Sequence, residues 1–353
     1  VQPLDASLLD EEIFGKADHE LVPLEVEIVF RPNADAAASN EASVARAIAA
    51  YGGTIVSRAK LDDIAYHAVL ARLPVAAIRM IVERSPASLA GIEHVIYIRP
   101  QSLATEIDVS DKVPLAAIAP LPAVVNDPIL AVLDGVPMAG HPLLRTHLSV
   151  EDLFGLEPNT LVAQRVHGSA MASLIVHGDR NKPEPPLPRQ IHCIPVLGSA
   201  DRFPSDRLIV DLIYQAVMRM RGPTDPSAPH VIIVNISLGN ARRRFHGQLS
   251  PWARLLDRLA YRFGILFLVS AGNVSEEFPV RAFATGRDFE DAQENARARA
   301  VLRAIADVQA DRRLLSPAET VNGLTIGARN IDWVPQADRA LARANVNPYP
   351  ALD

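Results

Sequence analysis

The stretch Ile129-Leu-Ala-Val-Leu-Asp-Gly135 decides the architecture: five apolar residues in succession, then a carboxylate, then a glycine. An unbroken apolar run of that length fits a strand buried on both faces, because a half-exposed strand alternates. Four more runs follow, at Ile191–Leu197, Val231–Ile236, Ile265–Ser270 and Leu324–Ile326, and between them lie candidate helices at Val166–Val176, Asp206–Arg219 and Pro251–Phe263. This alternation predicts an α/β unit: a doubly wound, mainly parallel sheet with helices on both faces. Such sheets place working residues just past the carboxyl ends of their strands. Asp134 stands there after the first run, and Ser270-Ala-Gly-Asn273 after the fourth.

Upstream, residues 24–100 read as strand, helix, strand, strand, helix, strand. Glu25–Arg31 alternates polar and apolar residues, and a helix is expected from a cap at Asn40 to Tyr51, stopped by Gly52-Gly53. Thr54–Arg58 and Tyr66–Arg72 are the next strands, Val75–Glu83 the second helix behind Pro74, and Val95–Arg99 the last strand. The order is that of a small α+β ferredoxin-like domain, which by itself implies no function. Residues 1–23 are expected to be a tail, and the proline-spaced stretch 101–128 a linker. The second domain is then 129–353, with 281–313 an inserted helical segment. That insert carries seven Arg and six Asp or Glu, and Ala298, Val301, Leu302, Ile305 and Val308 form one expected apolar stripe. It reads as a solvated face with one docked edge.

Composition narrows the chemistry. The 353 residues carry 35 Lys and Arg against 41 Asp and Glu, a net charge of −6, which speaks against a nucleic-acid binder. One cysteine, Cys193, leaves no intramolecular disulfide and no four-thiolate zinc site. No stretch of apolar residues is long enough to cross a bilayer. The first twenty residues are acidic and lack the basic start and apolar centre of a secretory signal, so a cytoplasmic location is expected. No glycine-rich phosphate cradle and no His-Glu-x-x-His occurs, so no cofactor and no metal are expected; His141, His147, His177 and His192 lack ligand spacing and read as surface or loop residues.

Three separated motifs supply a candidate site: Ala131-Val-Leu-Asp-Gly135, His167-Gly-Ser-Ala-Met-Ala-Ser173 and Ser270-Ala-Gly-Asn273. Each alone has an ordinary structural explanation. In this order they resemble the aspartate, histidine and oxyanion segments of subtilisin-like serine proteases (subtilases, peptidase family S8), with Ser169 for the usual Thr and Ala170 for the usual second His. Asn235-Ile-Ser-Leu-Gly239 is similar to the family's peptide-pairing strand, and Ser316-Pro-Ala-Glu319 with Leu324-Thr-Ile-Gly-Ala328 to the stretch that follows. The resemblance covers about residues 128–330.

The resemblance implies a serine endopeptidase acting on polypeptide substrates. His167 is implied as general base, Asp134 as the group orienting it, and Asn273 as oxyanion donor. Ser237, Leu238 and Gly239 are implied to pair with the peptide, and Ala271 and Gly272 to line the pocket for the side chain before the cut. It also implies that 24–100 is a propeptide-like (inhibitor I9-like) domain whose tail, within 101–126, lies in the cleft. Calcium is a family companion for which no loop can be assigned, and a separate regulatory ATPase is a conceivable partner at family level only.

One element is missing. The family's nucleophile sits in a Gly-Thr-Ser segment, and no Gly-Thr-Ser occurs in these 353 residues. Ser169, Ser173, Ser237 and Ser270 belong to other motifs. Four readings stand side by side: a chain incomplete at its C-terminus, a degenerate relative that only binds peptides, a serine supplied by a separate polypeptide, and an unrecognised nucleophile. The first is preferred, because losing a central helix exposes apolar surface. On the first three readings the 353 residues alone are expected to be inactive.

Overall fold

Alternating side-chain direction lets one strand serve two layers, and both sheets of this protein use it. The computed structural model describes residues 3–101, 124–178, 184–240, 243–274 and 278–327. Its first unit holds α1 (Pro3–Ile13), β1 (Leu21–Ile28), α2 (Ala34–Ala50), β2 (Thr54–Leu61), β3 (Tyr66–Pro74), α3 (Val75–Val82) and β4 (Val95–Pro100). The strands form an antiparallel sheet of order β2-β3-β1-β4. Val69, Ala71 and Leu73 of β3 pack with Val44 and Ile48 of α2 and Ile78 and Ile81 of α3.

The second unit comprises β5 (Leu130–Gly135), β6 (Leu148–Val150), α4 (His167–His177), β7 (Ile191–Leu197), α5 (Ile209–Arg221), β8 (Ile233–Ile236) and α6 (Pro251–Phe263). It continues through β9 (Leu266–Ser270), α7 (Gly286–Asp291), α8 (Glu294–Asp307) and β10 (Leu324–Ile326). Its six strands lie in the order β10-β9-β8-β5-β7-β6, every neighbouring pair parallel. This is the mixed α/β architecture expected from the apolar runs. Ala131, Leu133, Ile194, Val234 and Phe267 face α5 and α6, packing with Leu212, Ala216, Leu255 and Leu259. Val132, Ile191 and Cys193 face the other way and pack with Ala172 and Val176 of α4.

The α4 side is only partly covered. Leu324 pairs with Leu268 and Ile326 with Ser270, which puts Leu266, Leu268, Leu324 and Ile326 on the face that α4 covers further along the sheet. Leu266 is 41% exposed and Leu324 and Ile326 are 50% exposed each. Among the described residues, nothing buries this apolar strip.

The two units share a core. Ala59, Tyr66, Ala68 and Leu70, on the helix-free face of the first sheet, belong to the same buried cluster as Trp252, Leu255 and Leu259 of α6. Arg254 of α6 donates to the carbonyl of Ile64 at 2.9 Å and lies 3.6 Å from the Glu27 carboxylate. Arg262 and Arg258 reach Asp63 at 3.1 and 3.5 Å. Those two outer pairs are partly exposed and contribute about 1 kcal/mol or less each. The apolar contact carries most of the attachment.

Several local expectations change. Residues 1–23 contain α1, whose Leu9 and Ile13 are buried although its polar spacing gives little amphipathic signal. Helix α2 begins earlier, because Asn33 rather than Asn40 caps it by accepting from the Ala36 N–H at 2.9 Å. Asn40 is buried within the helix, its amide directed at the Val29 carbonyl. In α8 the buried residues are Ala298, Ala300, Val301 and Ala304, and Leu302 points outward. Most of the stretch read as a linker, 102–123, lies outside the described residues. No described helix is long and apolar enough to cross a membrane.

Candidate active site

Parallel strands deliver their carboxyl ends to one edge. Asp134 and Gly135 close β5, Ser237 leaves β8, and Ser270 ends β9, so the segments around Asp134, Ser237 and Ser270 meet on adjacent strand ends. Helix α4 opens at that edge with His167 as its first residue.

The closest contact joins the first two motifs. His167 Nδ1 lies 2.5 Å from Asp134 Oδ1, with both side chains buried. The same carboxylate oxygen accepts from the Gly135 N–H at 2.6 Å. This proximity depends on two glycines. A carbon added at Gly168 would stand 2.0 Å from the Gly135 carbonyl oxygen, so the helix start and strand end touch backbone to backbone. Ser169 fastens the joint: its hydroxyl donates to the Arg165 carbonyl at 2.5 Å and accepts from the Met138 N–H at 2.8 Å.

Burial works against a charged imidazole at His167, but the hydrogen bond and charge of Asp134 outweigh it, with a further contribution from Asp201. The net result holds the His167 titration above its ordinary value of 6.5. Asp201 lies in the turn after β7, where Ala200 and Asp201 both adopt left-handed backbone with φ of 56° and 49°. A carbon at Gly135 would stand 2.8 Å from Asp201 Oδ1, so the missing side chain at 135 admits the second carboxylate. Sequence reading passed over Asp201. The rule that drew attention to Asp134, a polar residue just beyond a strand's carboxyl end, would have found it.

The remaining predicted residues line the same edge. Ser237 is part-buried and accepts from the Asn235 amide at 3.0 Å, while Leu238 and Gly239 are buried. Gly272 turns the chain after β9 with φ of +96°, a conformation suited to glycine, and its N–H donates to Ser270 Oγ at 3.1 Å. Ala271 is part-buried, with its N–H bonded to the Ile326 carbonyl at 2.9 Å. Asn273 is exposed beyond the Gly272 turn. The Gly239 and Gly272 backbones approach closely: Gly272 Cα lies 4.0 Å from a carbon built on Gly239.

Of the histidines expected at the surface or in loops, His147 and His192 are interior, His147 in a buried turn and His192 on a strand. His147 is fully buried, and His192 on β7 is 3% exposed within reach of Ser149, Ser227 and Glu151. Their neighbours are strand and helix ends that a linear reading does not bring together. Cys193 is buried beside the Asp134 charge, and burial first, then that charge, pushes its thiol up to about 12, so it is no nucleophile at neutral pH. Among the described residues, no group of three or more His, Cys, Asp or Glu side chains is placed to hold a metal ion.

The model of the subtilase family, Peptidase_S8, matches residues 126–345. No curated protein matches the chain.

Proposed function

Because the chain belongs to the subtilase family, we propose that its carboxyl-edge site is built for peptide-bond hydrolysis through an acyl-enzyme, with the nucleophile absent from these 353 residues. The observation that carries this reading is the buried 2.5 Å contact between Asp134 and His167 at the meeting of β5 and α4. With Nδ1 held by Asp134, the imidazole keeps the tautomer that leaves Nε2 to accept a proton from a serine hydroxyl and later protonate the departing amine. Asp134 stabilises the cation without taking the proton. Asn273 donates its amide to the developing oxyanion, a contribution of about 2.7–4 kcal/mol where it has been measured, in a subtilisin. Residues 237–239 pair with the extended substrate as an added strand, with Ala271 and Gly272 beside the side chain that precedes the cut.

Among the described residues no serine bonds His167, and Ser169, Ser237 and Ser270 are engaged elsewhere. The nucleophile in this reading arrives on a helix seated over Leu266, Leu324 and Ile326. Their half-exposed apolar strip, beside α4, supports that placement. The first unit is proposed to act as a propeptide-like inhibitor, its tail reaching the cleft from a body anchored on α6. A peptide-binding relative without chemistry is the alternative.

An active-site fluorophosphonate separates these readings. The 353-residue chain is expected to take no label. The same chain supplied with a Gly-Thr-Ser-bearing helix is expected to be labelled, and to lose the label in His167→Ala. Labelling that persists without His167 overturns the assignment of the base. Failure of the supplied helix to dock and label supports the binding reading instead.

A further inference from the structure

The space between Ala271 and Gly272, assigned to the side chain before the cut, and the neighbouring peptide-pairing segment 237–239 is not an empty slot. Leu315 lies between them, 1% exposed. A carbon added at Gly272 would stand 2.6 Å from Leu315 Cβ, Cγ and Cδ1, and one added at Gly239 would stand 3.7 Å from Leu315 Cβ. With the two glycine backbones also in near contact, the leucine occupies the gap that a substrate side chain would enter. It is not part of the apolar clusters that form the cores of the two units.

Its position is fixed by backbone on both sides. Leu315 N–H donates to the Ala271 carbonyl at 3.1 Å. Residue 315 forms an antiparallel bridge with Arg244, flanked by Phe245 N–H to the Leu314 carbonyl at 2.8 Å and Ser316 N–H to the Arg243 carbonyl at 2.9 Å. Asn240 N–H, just past the 237–239 wall, donates to the Ser316 carbonyl at 2.7 Å. This ladder fixes the Leu315 backbone and its Cβ, which by itself stands 2.6 Å from a carbon built on Gly272, and forcing a large group into a filled space is costly.

We propose that Leu315 closes the pocket for the residue preceding the scissile bond, so that the peptide accepted at this site carries glycine or alanine there. The inference rests on the proposed function, which supplies the direction in which the peptide lies. It concerns selectivity and holds whether or not the bound peptide is cut.

The test uses the full 353-residue chain and blocked peptides differing only in Ala, Leu or Phe at one position. Affinity is read by NMR titration, following the amides of Gly239 and Gly272. The ratio between peptides is the readout, because an inhibitory tail in the cleft would weaken all of them alike. The Ala peptide is expected to bind on the order of tenfold tighter than the Phe peptide. In Leu315→Gly the Phe peptide is expected to gain about tenfold, with Leu315→Ala moving the same way by less should the glycine variant fold poorly. If peptides shift these amides but the Ala-to-Phe ratio is unchanged in both variants, the role of Leu315 is refuted while the site stands. If no peptide shifts Gly239 or Gly272, the proposed site fails and takes this inference with it.

Discussion

Gly168→Ala tests the joint on which the site depends. The new methyl carbon would stand 2.0 Å from the Gly135 carbonyl oxygen and 2.6 Å from its carbonyl carbon. Unstrained contact begins near 3.4 Å, so the start of α4 and the end of β5 must part by about 1.4 Å. No rotamer change relieves this, since the obstacle is backbone. The same displacement would carry the 2.5 Å contact of Asp134 and His167 to about 3.9 Å, past hydrogen-bonding reach. Overpacking costs about 1–3 kcal/mol, and losing a charge-assisted bond costs a further 1.5–3 kcal/mol or so. Replacing glycine in a helix returns at most about 1 kcal/mol. The net expectation is a loss of about 1.5–6 kcal/mol, a large share of the stability of an ordinary domain.

The pH dependence of that loss has a definite sign. The folded His167 titrates above 6.5, so the stability it contributes is complete below the unfolded value and disappears as pH rises through the folded one. Gly168→Ala should therefore cost more at mildly acidic than at alkaline pH. Urea unfolding at several pH values measures this, and an NMR titration of the imidazole should show the His167 midpoint falling toward its ordinary value. Gly140→Ala serves as control, because a carbon there meets nothing within 4 Å. A Gly168→Ala protein as stable as the parent, with an unchanged His167 titration, would refute the reasoning.

Three further outcomes are expected. Asp201→Asn removes a charge that favours the protonated imidazole, so an NMR titration should show the His167 midpoint dropping, and Asp201→Glu should restore it. Cys193, its thiol pushed up to about 12, should not react with Ellman's reagent in the folded protein at mildly alkaline pH, and should react fully in urea. His192 is held below its ordinary 6.5, burial outweighing the attraction of Glu151. Its contribution is present above 6.5 and lost as pH falls through the depressed value, so His192→Gln should flatten the decline in urea stability on acidification.

The sheet order shows why some of this was legible in one dimension. Unbroken apolar runs such as 129–133 report burial on both faces, and burial with short helical connections leaves little besides a parallel sheet. Asp134, His167 and Asn273 could be named because each lies in a contiguous motif that resembles one of the subtilase family's. Asn33 and α1 were missed for local reasons: two asparagines compete for one cap, and α1 gains its burial from partners distant in the chain.

Other features have no local signature. Asp201 becomes part of the site only because Gly135 leaves room beside a turn from another strand, and Leu315 only because the 243–246 and 314–316 segments pair. His147 and His192 look like any loop histidine until neighbouring strand and helix ends enclose them. Residue type and periodicity report what a segment needs, namely burial, a cap or a turn. Which atoms then meet depends on contacts between segments tens of residues apart, and a difference of an ångström there separates an open pocket from a closed one.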